Sequence, residues 1–274
     1  MELCAIILGG GIHAALQNNQ MLLYQIEFAN NSAQQFGGAV YLGEDHSSVE
    51  FNDVDVHGNV AESGGGLFLS RFSNNIRVTS SRILRNRAIV GGGILSIADA
   101  LAVLDSYIDD NTASTNSGGI LVQNTLYYLT IVRSSISRNR AGGSYGGLRI
   151  SLSVNVVINS CDFTDNQAAL GNGGALSISD CYGILVHNTS LTGGRAMGMG
   201  AGAFIGPGAS IVTFVDNRWK GNEAGGDGGA LYFTDAQQVQ VNGSEFLSNV
   251  AQTGSGSAMY VMSSDVSVSF RERV

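Results

Sequence analysis

The chain has 274 residues, with 38 glycines, a single proline and a formal net charge of −8. High glycine with one proline excludes collagen, and 44% apolar content argues against a disordered chain. A single lysine, Lys220, among 14 basic residues argues against nucleic acid or an anionic membrane as a partner. No apolar run is long enough for a helix to insert directly into a membrane.

A short motif recurs along the whole chain, beginning close to the N-terminus. It is a Gly/Ala-rich triplet followed by an apolar strand, and its copies are 26 to 28 residues apart. A constant period of this kind is the signature of a repeat architecture. The copies begin at Gly9, Gly37, Gly64, Gly91, Ser117, Tyr145, Gly173, Gly200, Gly228 and Gly256.

A second motif, apolar-x-x-Asn-x-Ala, lies just before each triplet after the first. The alanine is present in every copy, and Gly194 alone replaces the asparagine. A further apolar segment, such as Leu101 to Leu104, completes each period. The asparagine row is Asn31, Asn59, Asn86, Asn111, Asn139, Asn166, Asn222 and Asn249.

Each period therefore holds two or three short strands separated by Gly, Asn and Ser, with no helical pattern. Such a period predicts one coil of an all-β solenoid of parallel strands. The constant spacing leaves no room for a linker, so we expect one β-helix domain over 1–274, with about ten coils of 26–28 residues.

The repeated rows have physical explanations. Small Ala and Gly residues suit tight corners, where a larger side chain would clash or a positive φ is required. The asparagines could stack amide upon amide, each donating to the next coil, as in ladders of stacked strands. They could also be turn-formers in the left-handed conformation, which Asn tolerates well. Both interpretations of the row stay open from the sequence.

The paired motifs resemble the repeat of chlamydial polymorphic outer membrane proteins, which is similar to repeats in large surface proteins of algae and protists. The match is fullest where Phe28 to Asn31 precedes Gly37 to Val40, and it is weaker where Tyr145 replaces the first glycine. The resemblance implies a right-handed parallel β-helix, an autotransporter passenger often acting as an adhesin, and an extracellular or cell-surface location. It implies no catalytic residue. Because neither end has a visible cap, we expect a segment of a longer repeat protein.

Candidate catalytic and metal sites are weak. The best carboxylate pair for a glycosidase is Asp109 with Asp110, and Asp165 follows two coils later. A salt ladder is the favoured interpretation, because the residues before each asparagine alternate in sign on four successive coils. Those four residues are Arg85, Asp110, Arg138 and Asp165.

The cysteines and histidines do not suggest a metal site or a cofactor. No Cys-x-x-Cys pair occurs, and the histidines lack the spacing of metal ligands. Cys4, Cys161 and Cys181 are expected to be buried thiols. We therefore predict no metal, no cofactor and no enzymatic activity.

An aromatic row is the most suggestive candidate binding surface. It lies two residues after the end of each triplet, on the side of the strand expected to face outward. Exposed aromatic side chains suit sugars or a protein partner, although aromatics also favour strands and stack on one another. The aromatic members are Tyr41, Phe68, Phe204, Tyr232 and Tyr260.

The sequence thus favours an extracellular structural or adhesive segment, a rigid spacer that presents a binding surface. Its expected partners are other modules of the same protein, neighbouring subunits, or a glycan or host-cell surface. A polysaccharide lyase or hydrolase and a subunit of an extracellular filament are the alternatives. Sequons at Asn30, Asn188 and Asn242 are compatible with a secreted setting.

Overall fold

The computed structural model describes residues 8–16 and 20–269. These residues form four parallel sheets and no helix, and from Leu67 to Ala251 each coil adds one strand to each sheet. The expected solenoid of parallel strands is confirmed. Within the described ranges, no helix is long and apolar enough to cross a membrane.

Sheets A and B are the two largest, with ten strands each. Sheet A follows the triplets, and its strands are Ile12–Leu16, Val40–Glu44, Leu67–Leu69, Ile94–Ser96, Ile120–Gln123, Leu148–Ser151, Leu176–Ser179, Ala203–Ile205, Leu231–Thr234 and Met259–Met262. Sheet B comes next in each coil, and its strands are Met21–Tyr24, Val49–Asn52, Ile76–Thr79, Ala100–Leu104, Tyr128–Val132, Val154–Asn159, Tyr182–His187, Ser210–Val215, Gln237–Asn242 and Val266–Ser269.

Sheets C and D are smaller, with nine and seven strands among the described residues. Sheet C consists of Glu27–Ala29, Asp55–His57, Arg82–Leu84, Tyr107–Asp109, Ser135–Ser137, Asp162–Thr164, Ser190–Thr192, Arg218–Lys220 and Glu245–Leu247. Sheet D consists of Arg87–Val90, Thr112–Asn116, Arg140–Ala141, Gln167–Ala168, Arg195–Ala196, Glu223–Ala224 and Val250–Ala251.

The core lies inside the coils and is built from like residues in register. In sheet A, Val40 pairs with Leu67, and both side chains are fully buried. Strand side chains alternate between the two faces of a sheet, so each strand supplies every second residue to the interior. One apolar cluster therefore runs through the coils, from Ala14 to Val241.

The triplets form the corner between sheets D and A, where the backbones of successive coils come close together. Gly37 has a φ of 63°, and a Cβ there would lie 2.2 Å from the carbonyl oxygen of Val40. Glycine adopts this conformation without a steric cost. The alanine row lies in sheet D, where Ala113 pairs with Ala141 and Ala141 pairs with Ala168.

Candidate functional site: the outer face of sheet A and the internal ladders

The asparagine row lies at the corner after sheet C. The amide group of Asn139 donates to Asn166 Oδ1 at 3.1 Å and to the carbonyl oxygen of Ile108 at 2.9 Å. Its own Oδ1 accepts the backbone N–H and the side-chain amide of Asn111, both at 3.0 Å. Every polar atom of this fully buried side chain therefore has a partner.

The same geometry recurs along the row. Direct Nδ2-to-Oδ1 bonds join Asn31 to Asn59, Asn59 to Asn86, Asn86 to Asn111, Asn111 to Asn139, Asn139 to Asn166, and Asn222 to Asn249. At the one interruption, Gly194 donates its N–H to Asn222 Oδ1. None of these asparagines has a positive φ. The left-handed residue is the preceding one, as at Arg85 and Asp110, so the turn-former interpretation is wrong for the asparagines.

A second internal ladder lies at the corner between sheets B and C, and it has no uniform residue in the sequence that would reveal it. Ser106 donates its backbone N–H to Ser134 Oγ at 3.2 Å, and the Ser134 hydroxyl donates to the carbonyl oxygen of Val132 at 3.0 Å. The neighbouring coils repeat this pattern with different residues. The row is Ser81, Ser106, Ser134, Cys161, Thr189, Asn217 and Ser244.

The first part of the aromatic row packs into its own cluster on the outer face of sheet A. Phe68 lies 4.6 Å from Phe36 and 5.6 Å from Tyr41, measured between ring centroids. Leu95 and Leu121 continue the cluster on the next two coils. Phe68 is consequently only 7% exposed, which differs from the outward-facing stripe that the sequence predicted.

The second part of the row is a stack of three parallel rings. Phe204 lies 5.4 Å from Tyr232, and Tyr232 lies 5.4 Å from Tyr260, with interplanar angles of 5° and 6°. Tyr232 is 2% exposed, and its burial raises the pKa of its hydroxyl. The prediction of an exposed side chain is thus wrong for Phe68 and Tyr232, because rings on adjacent coils cover each other. Tyr41, Phe204 and Tyr260 are half-buried.

The two aromatic parts are separated by Arg149 and Ser177. Arg149 pairs with Ser177, and Ser177 pairs with Phe204, so the three lie on successive strands of sheet A. The guanidinium carbon of Arg149 lies 4.4 Å from the ring centroid of Tyr145. The sequence marks this coil as unusual, because Tyr145 stands where most triplets begin with glycine.

The predicted salt ladder is not formed as expected. In the described part of the chain, Arg138 is the one member of the four with an ion pair, and its partner is Asp109. Arg138 lies at a left-handed corner, with a φ of 51°, and its guanidinium reaches Asp109 at the end of the neighbouring sheet C strand instead of the next corner residue. Ion pairing also involves another row, where Arg133 binds Asp105 at 2.7 Å and lowers the pKa of that carboxyl.

The two described cysteines are buried and free. Burial raises the pKa of both the Cys161 and the Cys181 thiol to about 11. Cys4 lies outside the described residues. Across 8–16 and 20–269, no group of three His, Cys, Asp or Glu side chains is arranged to hold a metal ion.

Comparison with known proteins gives two findings. The sequence pattern of the family described as "Right handed beta helix region" matches residues 99–246. The chain is also 30% identical over 216 residues to the probable autotransporter YfaL of Escherichia coli strain K12. That match covers 68% of this chain and 16% of the relative, so the chain spans a small part of that protein's length. No solved structure matches the chain significantly.

Proposed function

The chain belongs to the right-handed β-helix family, and on this basis we propose that it is a segment of an autotransporter-like passenger at the cell surface. In this role it is a rigid spacer whose sheet A face is adhesive. The similarity to a probable autotransporter supports the setting. The Phe-x-x-Asn and Gly-Gly-Ala motifs support the finer proposal that its repeat is of the chlamydial polymorphic outer membrane protein type.

The observation that carries the proposal is the continuous parallel pairing of sheets A and B. Sheets A and B each pass through ten strands without a change of direction. At about 4.8 Å per strand, this stacking gives a rod roughly 45 Å long. Side chains on the outer face of sheet A are thereby held in register from coil to coil, which suits the presentation of a binding surface at a distance from the cell.

A structural role is favoured over catalysis at the carboxylates that the sequence singled out. Asp109 is in an ion pair with Arg138, and the adjacent Asp110 is the outward residue of a left-handed corner. A glycosidase needs two free carboxyl groups facing one cleft, with their pKa values set apart. Asp109 is not a free carboxyl group, because Arg138 is paired with it, so a lyase or hydrolase is the weaker alternative.

The proposal is tested by binding of the purified chain to a glycan array and to intact host cells. One variant carries three changes to Ser, at Tyr41, Phe204 and Tyr260, because these are the partly exposed rings of the row. We expect the triple variant to bind at least tenfold more weakly. Tyr107→Ser is the matched control, since Tyr107 is an exposed tyrosine on sheet C. Absence of binding by the wild-type chain would contradict the adhesive role.

A further inference from the structure

The outer face of sheet B is free of formal charge on five successive coils. No Asp, Glu, Lys or Arg occurs in the strands Ala100–Leu104, Tyr128–Val132, Val154–Asn159, Tyr182–His187 and Ser210–Val215. Among the described strands, a charged residue is present on two of the ten in sheet B but on seven of the nine in sheet C. A face that remains in water usually carries charged side chains, so this part of sheet B differs from an ordinary solvated surface.

The side chains on these five strands that face outward are mostly apolar, and most are accessible to solvent. Leu129 and Ile131 are fully buried in the core, so Thr130 and Val132 between and beyond them point outward. The same alternation holds on each of the five strands. We call the outward side chains the sheet B patch, and its members are Ala102, Leu104, Thr130, Val132, Val157, Asn159, Leu185, His187, Thr213 and Val215.

Exposed apolar residues continue the sheet B patch at the corner that leads into sheet B. Tyr127, Leu152 and Tyr182 are each more than half exposed, and Leu126 and Ile211 are exposed beside them on the same coils. Large contiguous apolar surfaces on a soluble protein mark places where another molecule binds. The patch is therefore the strongest candidate for a second interaction surface, separate from sheet A.

The dimensions of sheet B match one side of a dimer interface. With strands about 4.8 Å apart and residues about 3.3 Å apart, the five uncharged strands cover about 400 Å² and all ten cover about 800 Å². The larger value is about what each partner buries in an interface of standard size. Polar side chains flank the patch on both sides, with Glu50 and Arg77 before it and Gln240 after it. An apolar centre with a polar rim is the usual anatomy of such an interface.

We propose that the outer face of sheet B binds the same face of a second copy of this chain, with the two rods antiparallel. The two-fold axis lies along the strand of Val157, so Val157 packs on its own counterpart and the interface is isologous. Leu185 of one copy then faces Thr130 of the other, and Leu104 faces Val215. The strands of the two copies are aligned, with the sheets about 10 Å apart.

The two charged residues of sheet B select the antiparallel arrangement. Glu50 and Arg77 lie on the second and third strands, whereas the ninth and tenth strands carry Gln240 and Ser267 at the same row. In antiparallel rods Arg77 faces Gln240, and Glu50 faces Ser267. Parallel rods would instead bring both copies of Arg77 to the same level and both copies of Glu50 to the next. Like charges facing each other across an interface oppose binding.

The proposal is tested by sedimentation velocity of the purified chain at a series of micromolar concentrations. We expect a dimer whose fraction rises with concentration. Val157→Asp places two carboxylates against each other at the two-fold axis and should weaken the dimer at least tenfold. Thr192→Asp is the matched control, because Thr192 is a half-buried, outward-facing β-branched residue of sheet C, and it should leave the dimer unchanged.

A pair of charge substitutions tests the direction of the rods. Thr130→Lys or Leu185→Asp alone would bury an unpaired charge in the interface, so each should weaken the dimer at least tenfold. In the combined variant the two new charges face each other across the antiparallel interface, so dimerisation should recover at least tenfold relative to either single variant. In parallel rods these positions lie on different coils and would not meet. Thermal unfolding of each variant establishes that it is folded.

The possible outcomes separate this proposal from the adhesive role of sheet A. A wild-type chain that stays monomeric at every concentration would overturn it, as would a Val157→Asp variant that dimerises like the wild type. Failure of the combined variant to recover would overturn the antiparallel arrangement. The dimer does not rest on the adhesive role, because Tyr41, Phe204 and Tyr260 lie on sheet A and glycan binding is measured separately.

Discussion

The two internal ladders both supply hydrogen-bond acceptors to backbone N–H groups at corners, but they differ in how many residue types they accept. Both lie at corners, where backbone N–H groups of one coil need an acceptor from the next coil. At the corner after sheet C, the Asn139 side chain accepts two hydrogen bonds and donates two. At the corner between sheets B and C, the Ser134 hydroxyl accepts from the backbone N–H of Ser106 and donates its one hydrogen to the carbonyl oxygen of Val132.

The difference explains why one ladder is visible in the sequence and the other is not. Only an amide supplies two donors and an oxygen acceptor on one short side chain. The hydroxyl row needs a single acceptor and a single donor, so serine, threonine, asparagine and even Cys161 occupy it. The asparagine row therefore shows the same residue at a regular spacing in the repeat. The hydroxyl row shows a mixture of small polar residues.

The comparison is tested most strongly by Asn139→Ala. The backbone N–H and side-chain amide of Asn111 would both lose their acceptor, and the carbonyl oxygen of Ile108 would lose a donor. Because each unsatisfied buried group costs about 1–3 kcal/mol, we expect a loss of about 3 kcal/mol or more in the free energy of unfolding. Urea denaturation measures it, and a loss below about 1 kcal/mol would show that the ladder is not a major source of stability.

Ala141→Leu tests the space available beside the same corner. Ala141 is 1% exposed and pairs with alanines on both neighbouring coils. A larger side chain would force the coils apart, and overpacking of this kind costs about 1–3 kcal/mol. An exposed neighbour, Arg140→Leu, is the matched control and should change the urea midpoint little. An unchanged midpoint for Ala141→Leu would contradict the placement of this row inside.

Ser134→Ala probes the hydroxyl ladder and should have a smaller effect than Asn139→Ala. It removes the acceptor for a single backbone N–H, that of Ser106. A loss of about 1 kcal/mol is expected from one buried hydrogen bond. Ser134→Thr keeps the hydroxyl, as Thr189 does two coils later, and should restore most of the stability. A loss as large as that of Asn139→Ala would remove the distinction between the ladders.

Much of the fold could be predicted from the sequence because each coil repeats the same constraints. The period, the strand segments and the asparagine spacing are all visible as repeated letters. The exposure of Phe68 and Tyr232 could not be predicted, because it depends on how rings of adjacent coils cover one another. The partner of Arg138 was missed for a related reason, since a positive φ at the corner redirects the side chain toward Asp109.

The interruption of the asparagine row at Gly194 depends on contacts with a second row, that of the triplets. A Cβ at Gly194 would lie 2.5 Å from the carbonyl oxygen of Ala201. Ala201 is itself unusual, because most other coils have glycine at the middle of the triplet. The backbone of this coil therefore accommodates one small side chain in the triplet and excludes another from the ladder. This coupling between the two rows arises from packing. In the sequence it is visible only as two separate exceptions, Gly194 in the asparagine row and Ala201 in the triplet.

The smallest expected effect is that of Cys161→Ser, and it tests the tolerance of the hydroxyl ladder directly. At pH 7 the new hydroxyl should keep the bond from Cys161 to the carbonyl oxygen of Asn159, so stability should change by less than about 1 kcal/mol. Burial raises the pKa of the thiol from 9.0 to about 11. Between these values the unfolded chain loses its proton first, so the contribution of Cys161 to stability falls as the pH rises. Urea denaturation at pH 7 and pH 10 should therefore show a smaller alkaline loss of stability in the serine variant. A large loss at pH 7 would mean that this row selects its residues as strictly as the asparagine row does.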